Sequence, residues 1–326
     1  MTPGPQALTD DEVGILLAAA THAPSMHNTQ PWRFEVNGST VDVLLDAERA
    51  LPAEDPAERM IRIGLGAAAF NVRVAAAVLG HDTTYATGPD PSRPDIAARM
   101  FLAERRPTTA TALSSLYGEL LRRHTYRGPM TEHDLSPHVR DRLDDAAHSE
   151  GGELHWLDHA QCVLLGGILR KADQLDLADE GRVHERLRWI GGDRNRDGVP
   201  AGALGPVAVR RSAVRDLAAG FDSAHRSQAV FETRPVVAVL TSNGDDGHAW
   251  LRSGQALQRT LLTATSYDVA ASFLNQALEH PVQRLKIREL TGGHRWPQMI
   301  LRIGHPAHAT GCTPRRDWHE TLHPSN

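Results

Sequence analysis

Residues 23–34 of the chain read Ala-Pro-Ser-Met-His-Asn-Thr-Gln-Pro-Trp-Arg-Phe. They connect a helix pattern that begins near residue 9 to a strand candidate at residues 32–36. Pro, Ser and Asn favour a turn and present hydroxyl and amide groups to their surroundings. The stretch therefore predicts either a polar loop that binds a ligand rich in hydroxyls and carbonyls, or a plain connection between a helix and a strand.

A second polar segment, residues 122–127, reads Arg-Arg-His-Thr-Tyr-Arg. Three guanidinium groups, an imidazole and a hydroxyl within six residues can converge on a phosphate. The alternative interpretation is a solvated basic patch.

The chain contains an imperfect internal repeat. Helices capped by Thr9 and Ser136 are 127 positions apart, and each is followed by a strand candidate, at residues 32–36 and 154–157. Residues 61–64 match 251–254 at an offset of 190, and each match begins a long helix of small and apolar residues. Strand candidates at 100–107 and 299–306, each closed by proline, match at an offset of 199. Four matches in the same order favour a duplication over coincidence.

The growing offset places about sixty extra residues in the second copy, at roughly 160–230. This stretch combines glycine- and proline-rich loop sequence with short helical patterns. A lid or binding loop and a surface excursion are equally compatible with it. We predict an α+β chain with a first half at 1–112 and a second half at 113–326 that carries the insertion.

Composition narrows the class of protein. The 326 residues are 40% hydrophobic and 23% charged, which is typical of a globular protein, and a net charge of -5 gives no bulk attraction to nucleic acid or anionic membranes. We expect no membrane span, no secretory signal and a cytoplasmic location. The eighteen histidines form no recognisable metal motif, so no metal site is predicted.

The motifs P-S-x-x-N-x-Q-P-W and R-H-T-x-R together resemble those of the nitroreductase family of FMN enzymes. More narrowly, the doubled length and the Thr21–Ser25 segment resemble an actinobacterial dormancy-associated branch assigned as NAD(P)H nitroreductases. Ordinary members are homodimers in which one subunit supplies the basic motif and the other supplies the Pro-Ser loop. The resemblance implies a nitroreductase-like fold in which two fused related halves mimic that homodimer around central sheets and buried helices.

The resemblance also assigns residues to the cofactor FMN. Those expected to hold the phosphate, with the histidine near the ribityl chain or ring, are Arg123, His124, Thr125 and Arg127. Those expected to face the ring from the first half are Pro24, Ser25, Met26 and Asn28. The basic pair expected to close over the phosphate or ribityl end is Arg315 and Arg316. The residues expected near flavin N5, where the family often carries Pro-Ile-Glu-Gly and this chain does not, are Ser272, Phe273 and Leu274.

The two flavin motifs are divided between the copies. A first-half counterpart of His124 would fall before residue 1, since 124 minus 127 is negative, and residues 148–153 of the second half contain neither Pro-Ser nor Asn. We therefore expect one complete site per chain. The predicted state is a monomer that mimics a dimer, with further dimerisation possible.

Three functions follow from these features. The first is an oxidoreductase that takes hydride from NAD(P)H and passes it through flavin N5 to a nitroaromatic or quinone-like acceptor by a ping-pong scheme. It needs no catalytic side chain, and no GxGxxG fingerprint indicates a separate nicotinamide domain. The second is an FMN-sequestering or storage protein closed by the insertion, and the third is a structural or partner-binding protein without flavin.

Overall fold

The computed structural model describes residues 7–106, 110–209, 215–218 and 226–323. Its helices are α1 Asp10–Thr21, α2 Arg59–Leu79, α3 Glu119–Arg122, α4 Pro137–Ser149, α5 His159–Ala178, α6 Glu180–Leu187, α7 Gly247–Ser266 and α8 Pro281–Leu290. Its strands are β1 Trp32–Asn37, β2 Thr40–Leu45, β3 Thr83–Thr87, β4 Ile96–Leu102, β5 Glu153–Trp156, β6 Val207–Ala208, β7 Gln228–Ala229, β8 Val236–Ser242, β9 Ala270–Phe273 and β10 Trp296–Gly304. The predicted α+β class is confirmed.

Two four-stranded antiparallel sheets share one plan. The first has the order β1-β2-β4-β3 and the second has the order β5-β8-β10-β9. In chain order, α1, β1, β2, α2, β3 and β4 correspond to α4, β5, β8, α7, β9 and β10. Every pairing in the first sheet therefore has its counterpart in the second.

The helices α1 and α4 begin where the sequence predicts. Thr9 accepts a hydrogen bond from the backbone N–H of Glu12, whose carboxylate in turn accepts from the backbone N–H of Thr9. Ser136 accepts from the N–H of Val139, at 3.3 Å. These caps satisfy backbone donors that the first turn of a helix leaves without partners.

The connection between β5 and β8 is much longer than the connection between β1 and β2. A turn at Gly38, with a φ of 58°, connects β1 to β2, whereas α5, α6, β6 and β7 lie between β5 and β8. This connection contains the predicted insertion, although residues 210–214 and 219–225 of that prediction lie outside the described residues. The strand candidate at 154–157 ends one residue early, and Pro107 also lies outside the described part of the chain.

The helices α2 and α7 cross at the centre of the molecule, backbone against backbone. A Cβ on Gly66 would collide with the carbonyl oxygen of Leu251, and a Cβ on Gly254 would collide with that of Ile63. The helices begin at 59 and 247, which are 188 positions apart. Gly66 and Gly254 are separated by the same 188 positions, and so are the residues they contact, Ile63 and Leu251. The predicted offset of 190 is therefore wrong by two, since the close crossing aligns the glycines at the contact.

The crossing leads to a stability prediction. Gly66→Ala should lower the free energy of unfolding by about 3 kcal/mol, because the clash exceeds the roughly 1 kcal/mol that alanine gains in a helix. Urea denaturation measures the change. Gly118→Ala is the control, since a Cβ at Gly118 meets no atom within 4 Å. Equal stabilities of the two variants would contradict this packing.

The helix α2 bears on the expectation that the chain contains no membrane span. With 21 residues and a mean hydropathy of 1.4 in its most apolar window, it meets a length and composition test for a membrane span. However, 78% of that window is buried inside the protein, and the helix carries the buried polar residues Arg59 and Asn71. Such burial is typical of a core helix.

Candidate functional site

A solvent-open cavity lies between elements from the first 112 residues and elements from the rest of the described chain. The first half contributes the loop after α1 and the start of α2, and the second half contributes the segment before α4, with α7, β9 and β10. Its apolar wall consists of Pro24, Met26, Met60, Ile63, Leu217, Leu257, Phe273 and Met299. Its polar wall includes Ser25, His27, Thr125, Arg127, Arg215, Ser272, Asn275 and Glu279. An apolar cavity with a few polar groups is the usual form of a small-molecule site.

The loop after α1 is held in an unusual conformation. His27, Asn28 and Gln30 have positive φ angles of 48°, 57° and 52°. Residues with a Cβ adopt this region at a cost and keep it when their surroundings hold them there. The backbone N–H of Gln30 donates to Ser25 Oγ at 2.9 Å, and Asn28 Nδ2 donates to the carbonyl of Pro314 at 3.0 Å. The loop is thus a structured wall of the cavity and more than a plain connection.

Three arginines form a basic cluster beside the cavity: Arg123, Arg127 and Arg315. Burial lowers the pKa of Arg123 to about 9, helped by repulsion from Arg315 and Arg127. Burial and repulsion from Arg315 lower the pKa of Arg127 to about 10, and burial lowers the pKa of Arg315 to about 10. All three therefore remain charged at neutral pH.

The basic cluster lacks counter-charges. No carboxylate of the described residues lies within ion-pair distance of its three guanidinium groups. Arg123 Nε and Arg315 Nε are buried and have no hydrogen-bond partner within the described part of the chain. Buried donors without partners cost free energy, and an anion would satisfy them.

The structure brings together most, but not all, of the residues that the sequence singled out. Seven of them line the cavity: Pro24, Ser25, Met26, Thr125, Arg127, Ser272 and Phe273. Asn28 and Arg315 contact each other, since Arg315 Nη1 donates to Asn28 Oδ1 at 3.0 Å. Arg123 lies behind them and donates to the carbonyl of His22 at 3.1 Å.

Three predicted site residues have other partners. His124 is bonded through Nδ1 to the carbonyl of Arg122 and lies outside the cavity wall. Leu274 is buried in the core next to the second sheet, where its N–H donates to Ile300. Arg316 donates to the carbonyls of Gln30, Trp32 and Glu320 at 2.9–3.4 Å, so it anchors the C-terminal segment beneath the first sheet.

Several residues of the cavity wall are not marked by the sequence motifs. His27 and Gly64 lie within segments quoted there, so their positions could have been noticed. Met60, Leu257 and Met299 look like ordinary core residues in the sequence, and no local pattern marks them. Glu279 and Arg215 likewise carry no motif.

A buried ion network lies next to the cavity. Carboxylate oxygens of Glu54, Asp176 and Glu279 lie within 4.8 Å of one another. Each carboxylate is bonded to at least one of the arginines Arg182, Arg186 and Arg215, at distances of 2.5–3.0 Å. The guanidinium groups already neutralise this cluster, so it resembles a salt-bridge core more than a metal site.

The network joins three parts of the chain. Glu54 comes from the first half, Arg182 and Arg186 from the insertion, and Glu279 from the second half. Burial alone would raise the pKa of Glu54, but His27 and the arginines Arg215 and Arg186 lower it to about 2. Glu54 is therefore ionised at neutral pH.

This network predicts a loss of stability in acid. The pKa of Glu54 is depressed from 4.5 to about 2 in the folded chain, so its contribution is present above pH 4.5 and lost as the pH falls toward 2. We expect wild type to lose on the order of 3 kcal/mol relative to Glu54→Gln over this window. Burial raises the pKa of Asp55 to about 6, so Asp55 changes the stability in the opposite direction over this range. This change is the same in wild type and in Glu54→Gln, so it cancels in the comparison. Urea denaturation at several pH values tests this, and parallel pH curves would contradict it.

Comparison with known proteins identifies full-length relatives. "Putative NAD(P)H nitroreductase acg" of Mycobacterium tuberculosis is 28% identical over 327 residues, which cover 97% of this chain and 96% of the relative. A second protein of that organism with the same designation, Rv3131, is 28% identical over 94% of this chain and 90% of its own length. The resemblance to proteins named as nitroreductases is confirmed over nearly the whole sequence.

Solved structures of nitroreductases are similar to part of the chain. A nitroreductase with bound FMN from Bacteroides fragilis has a TM-score of 0.40 and 12% identity, covering 62% of this chain and 94% of that chain. A nitroreductase with bound FMN from Desulfitobacterium hafniense has a TM-score of 0.37 and 11% identity, covering 62% and 93%. No family model matches the chain.

Proposed function

We propose that this chain, a full-length relative of mycobacterial proteins named as NAD(P)H nitroreductases, is an FMN-dependent oxidoreductase. The basic cluster carries the proposal. Three guanidinium groups without carboxylate partners in the described chain, two of them with buried unpartnered Nε atoms, fit a dianionic phosphate. Arg127 links this cluster to the cavity because it also lines the wall.

The rest of the cavity fits a planar ring with a polar edge. Met60, Ile63, Leu257 and Met299 offer apolar side chains on which such a ring can pack, and Ser25, Thr125 and Ser272 offer hydroxyl groups. FMN would supply the two-electron chemistry. The protein's own residues would hold the phosphate, orient the ring and exclude water.

We infer that the two halves, 1–112 and 113–326, are a fused duplication that shares one site. The equal strand order of the two sheets and the paired glycine contacts of α2 and α7 support this. With the helices aligned at 188, Gly64 corresponds to Arg252. Gly64 leaves space beside Pro24 and Ser25, whereas the Arg252 side chain runs along Gly151. The counterpart site is thus obstructed, and one flavin per chain is expected, with no need for a homodimer.

The donor and acceptor in this proposal are NADH or NADPH and a small nitroaromatic or quinone-like molecule. The names of the relatives support a nicotinamide donor. A cytoplasmic location would give access to it. Both substrates would use the same cavity in turn, in a ping-pong scheme.

Contacts of the insertion favour storage of FMN as the second candidate. Gly198 and Asn28 exchange two hydrogen bonds, at 3.0 and 3.1 Å, and Gln30 Nε2 donates to the carbonyl of Arg196. Arg127 Nη1 donates to the carbonyl of Ala203 at 3.2 Å. The insertion therefore covers both the Pro-Ser loop and the basic cluster, as a lid over a sequestered flavin would.

Two measurements test these functions. Titration of the apoprotein with FMN should give one bound flavin per chain, and a protein that binds none would refute both candidates. Stopped-flow mixing with NADH and with NADPH then separates them. Loss of the absorbance of oxidised flavin within seconds of mixing supports the oxidoreductase. Bound flavin that neither donor reduces supports storage.

A further inference from the structure

His27 contributes the imidazole of the described cavity wall. The wall residues with ionisable side chains, among those described, are His27, Arg127, Arg215 and Glu279. Arg215 and Glu279 are paired with each other at 2.8 Å, and Arg127 keeps its charge. An imidazole is the side chain whose unperturbed protonation lies in the physiological range.

Hydrogen bonding defines which nitrogen of His27 carries a fixed proton. Nε2 faces a carboxylate oxygen of Glu54 in a short contact. The other oxygen of Glu54 accepts from Arg186 Nε and Nη2, at 2.8 and 2.5 Å. An ionised carboxylate only accepts hydrogen bonds, so His27 Nε2 must donate. Proton exchange is then confined to Nδ1.

Charged groups lie behind the Glu54 carboxylate that His27 contacts. Behind Glu54, the charged groups of the ion network are three arginines and two further carboxylates, with His280 at the edge: Arg182, Arg186, Arg215, Asp176 and Glu279. The charges of these three arginines and two carboxylates balance when Glu54 is included. The left-handed backbone at His27, with a φ of 48° and a ψ of 20°, is a local cost of the kind found at functional positions.

We propose that His27 donates the proton that accompanies hydride transfer to the acceptor, and that Glu54 is its positioning residue. The inference rests on the proposed function. For a quinone, hydride supplied by reduced flavin adds to one carbonyl oxygen, and the imidazolium gives its Nδ1 proton to the other oxygen. The two electrons and two hydrogens convert the quinone to a hydroquinone, and neutral His27 regains a proton from water.

His27→Gln tests the role in the loaded protein. The FMN dissociation constant and the rate of flavin reduction by NADPH are measured first, so that reoxidation is compared at full flavin loading. Reoxidation by benzoquinone should slow by roughly 100-fold or more, and its pH dependence should flatten. Glu54→Gln should also slow reoxidation because His27 Nε2 loses the carboxylate that fixes the ring, and nitrogen-15 NMR should then no longer show a single His27 tautomer. Unchanged reoxidation in His27→Gln would overturn the proposal.

His81→Gln is the matched control. His81 is also buried and faces a glutamate, Glu12, at 3.5 Å, but it lies outside the cavity wall. Its reoxidation rate should equal that of wild type, and equal losses in both histidine variants would count against a specific role.

Nitrogen-15 NMR of the histidines in the apoprotein gives a readout without flavin. The neutral His27 ring should carry its proton on Nε2, and a proton on Nδ1 would contradict the geometry. The failure of the proposed function and the failure of the proposed role of His27 give different results. Wild type that binds no FMN refutes the proposed function, whereas wild type that turns over with a fully active His27→Gln refutes only the role of His27.

Discussion

Arg127→Ala is expected to weaken FMN binding by roughly 10- to 150-fold. The substitution removes a charge-assisted contact to the phosphate, which is worth about 1.5–3 kcal/mol. Arg127 is the member of the basic cluster that also lines the cavity, and its guanidinium is held by the carbonyl of Ala203. Fluorescence titration of the apoprotein with FMN measures the dissociation constant directly.

Two variants make this result specific. Arg127→Lys keeps the charge but loses the planar fork, so its affinity should fall between alanine and wild type. Arg33→Ala removes an arginine that pairs with Asp46 and Glu48 outside the cavity, and it should leave the affinity unchanged. If Arg127→Ala binds FMN as tightly as Arg33→Ala, the phosphate does not lie at the basic cluster.

Gly64→Arg should abolish retention of flavin, with an affinity loss of at least ~100-fold, or about 2.8 kcal/mol. The substitution copies into the cavity the residue that stands at the corresponding position of α7. Gly64 lines the cavity, and its missing side chain faces Pro24 and Ser25. An arginine side chain there must occupy space that the ring would use. The purified variant should be colourless.

Gly64→Ala separates this steric effect from a change in the helix. A Cβ at Gly64 would lie 3.5 Å from the Pro24 carbonyl oxygen and 3.7 Å from Ser25 Cβ, which are ordinary contact distances. This variant should keep its flavin and stay folded. Arg252→Gly tests the opposite half, where we still expect one flavin per chain because the basic motif is absent. Flavin-loaded Gly64→Arg would show that the ring does not pack beside α2.

Much of the fold could be predicted from patterns of residues close together in the sequence. The caps at Thr9 and Ser136 are short-range signals, and each is where the sequence predicts it. The strand candidates at 100–107 and 299–306 overlap β4 and β10 but are predicted too far toward the C-terminus, since these strands end at Leu102 and Gly304. The alignment of α2 with α7 could not be predicted from local sequence in the same way. Similar residues around Gly64 and Gly254 suggested an offset of 190, whereas the contact of Gly66 with Leu251 supports an offset of 188.

The site was accessible only in part, for the same reason. The Pro-Ser loop and the basic segment are contiguous motifs, and their cavity-lining members other than His27 could be named from the sequence. Neighbouring residues in such a motif can nevertheless point in different directions. Arg315 contacts Asn28, whereas Arg316, one residue later, bonds to the carbonyls of Gln30 and Trp32.

The sequence alone was enough to predict the α+β class, which the structure confirms, and to suggest an internal repeat and a polar loop paired with a basic segment, because those signals depend on residues close together along the chain. The tertiary structure decided what surrounds them. Glu54 and Arg186 are 132 positions apart, yet together they orient His27 in the cavity wall. Such contacts depend on which side chains become buried beside one another, and burial is a property of the packed halves.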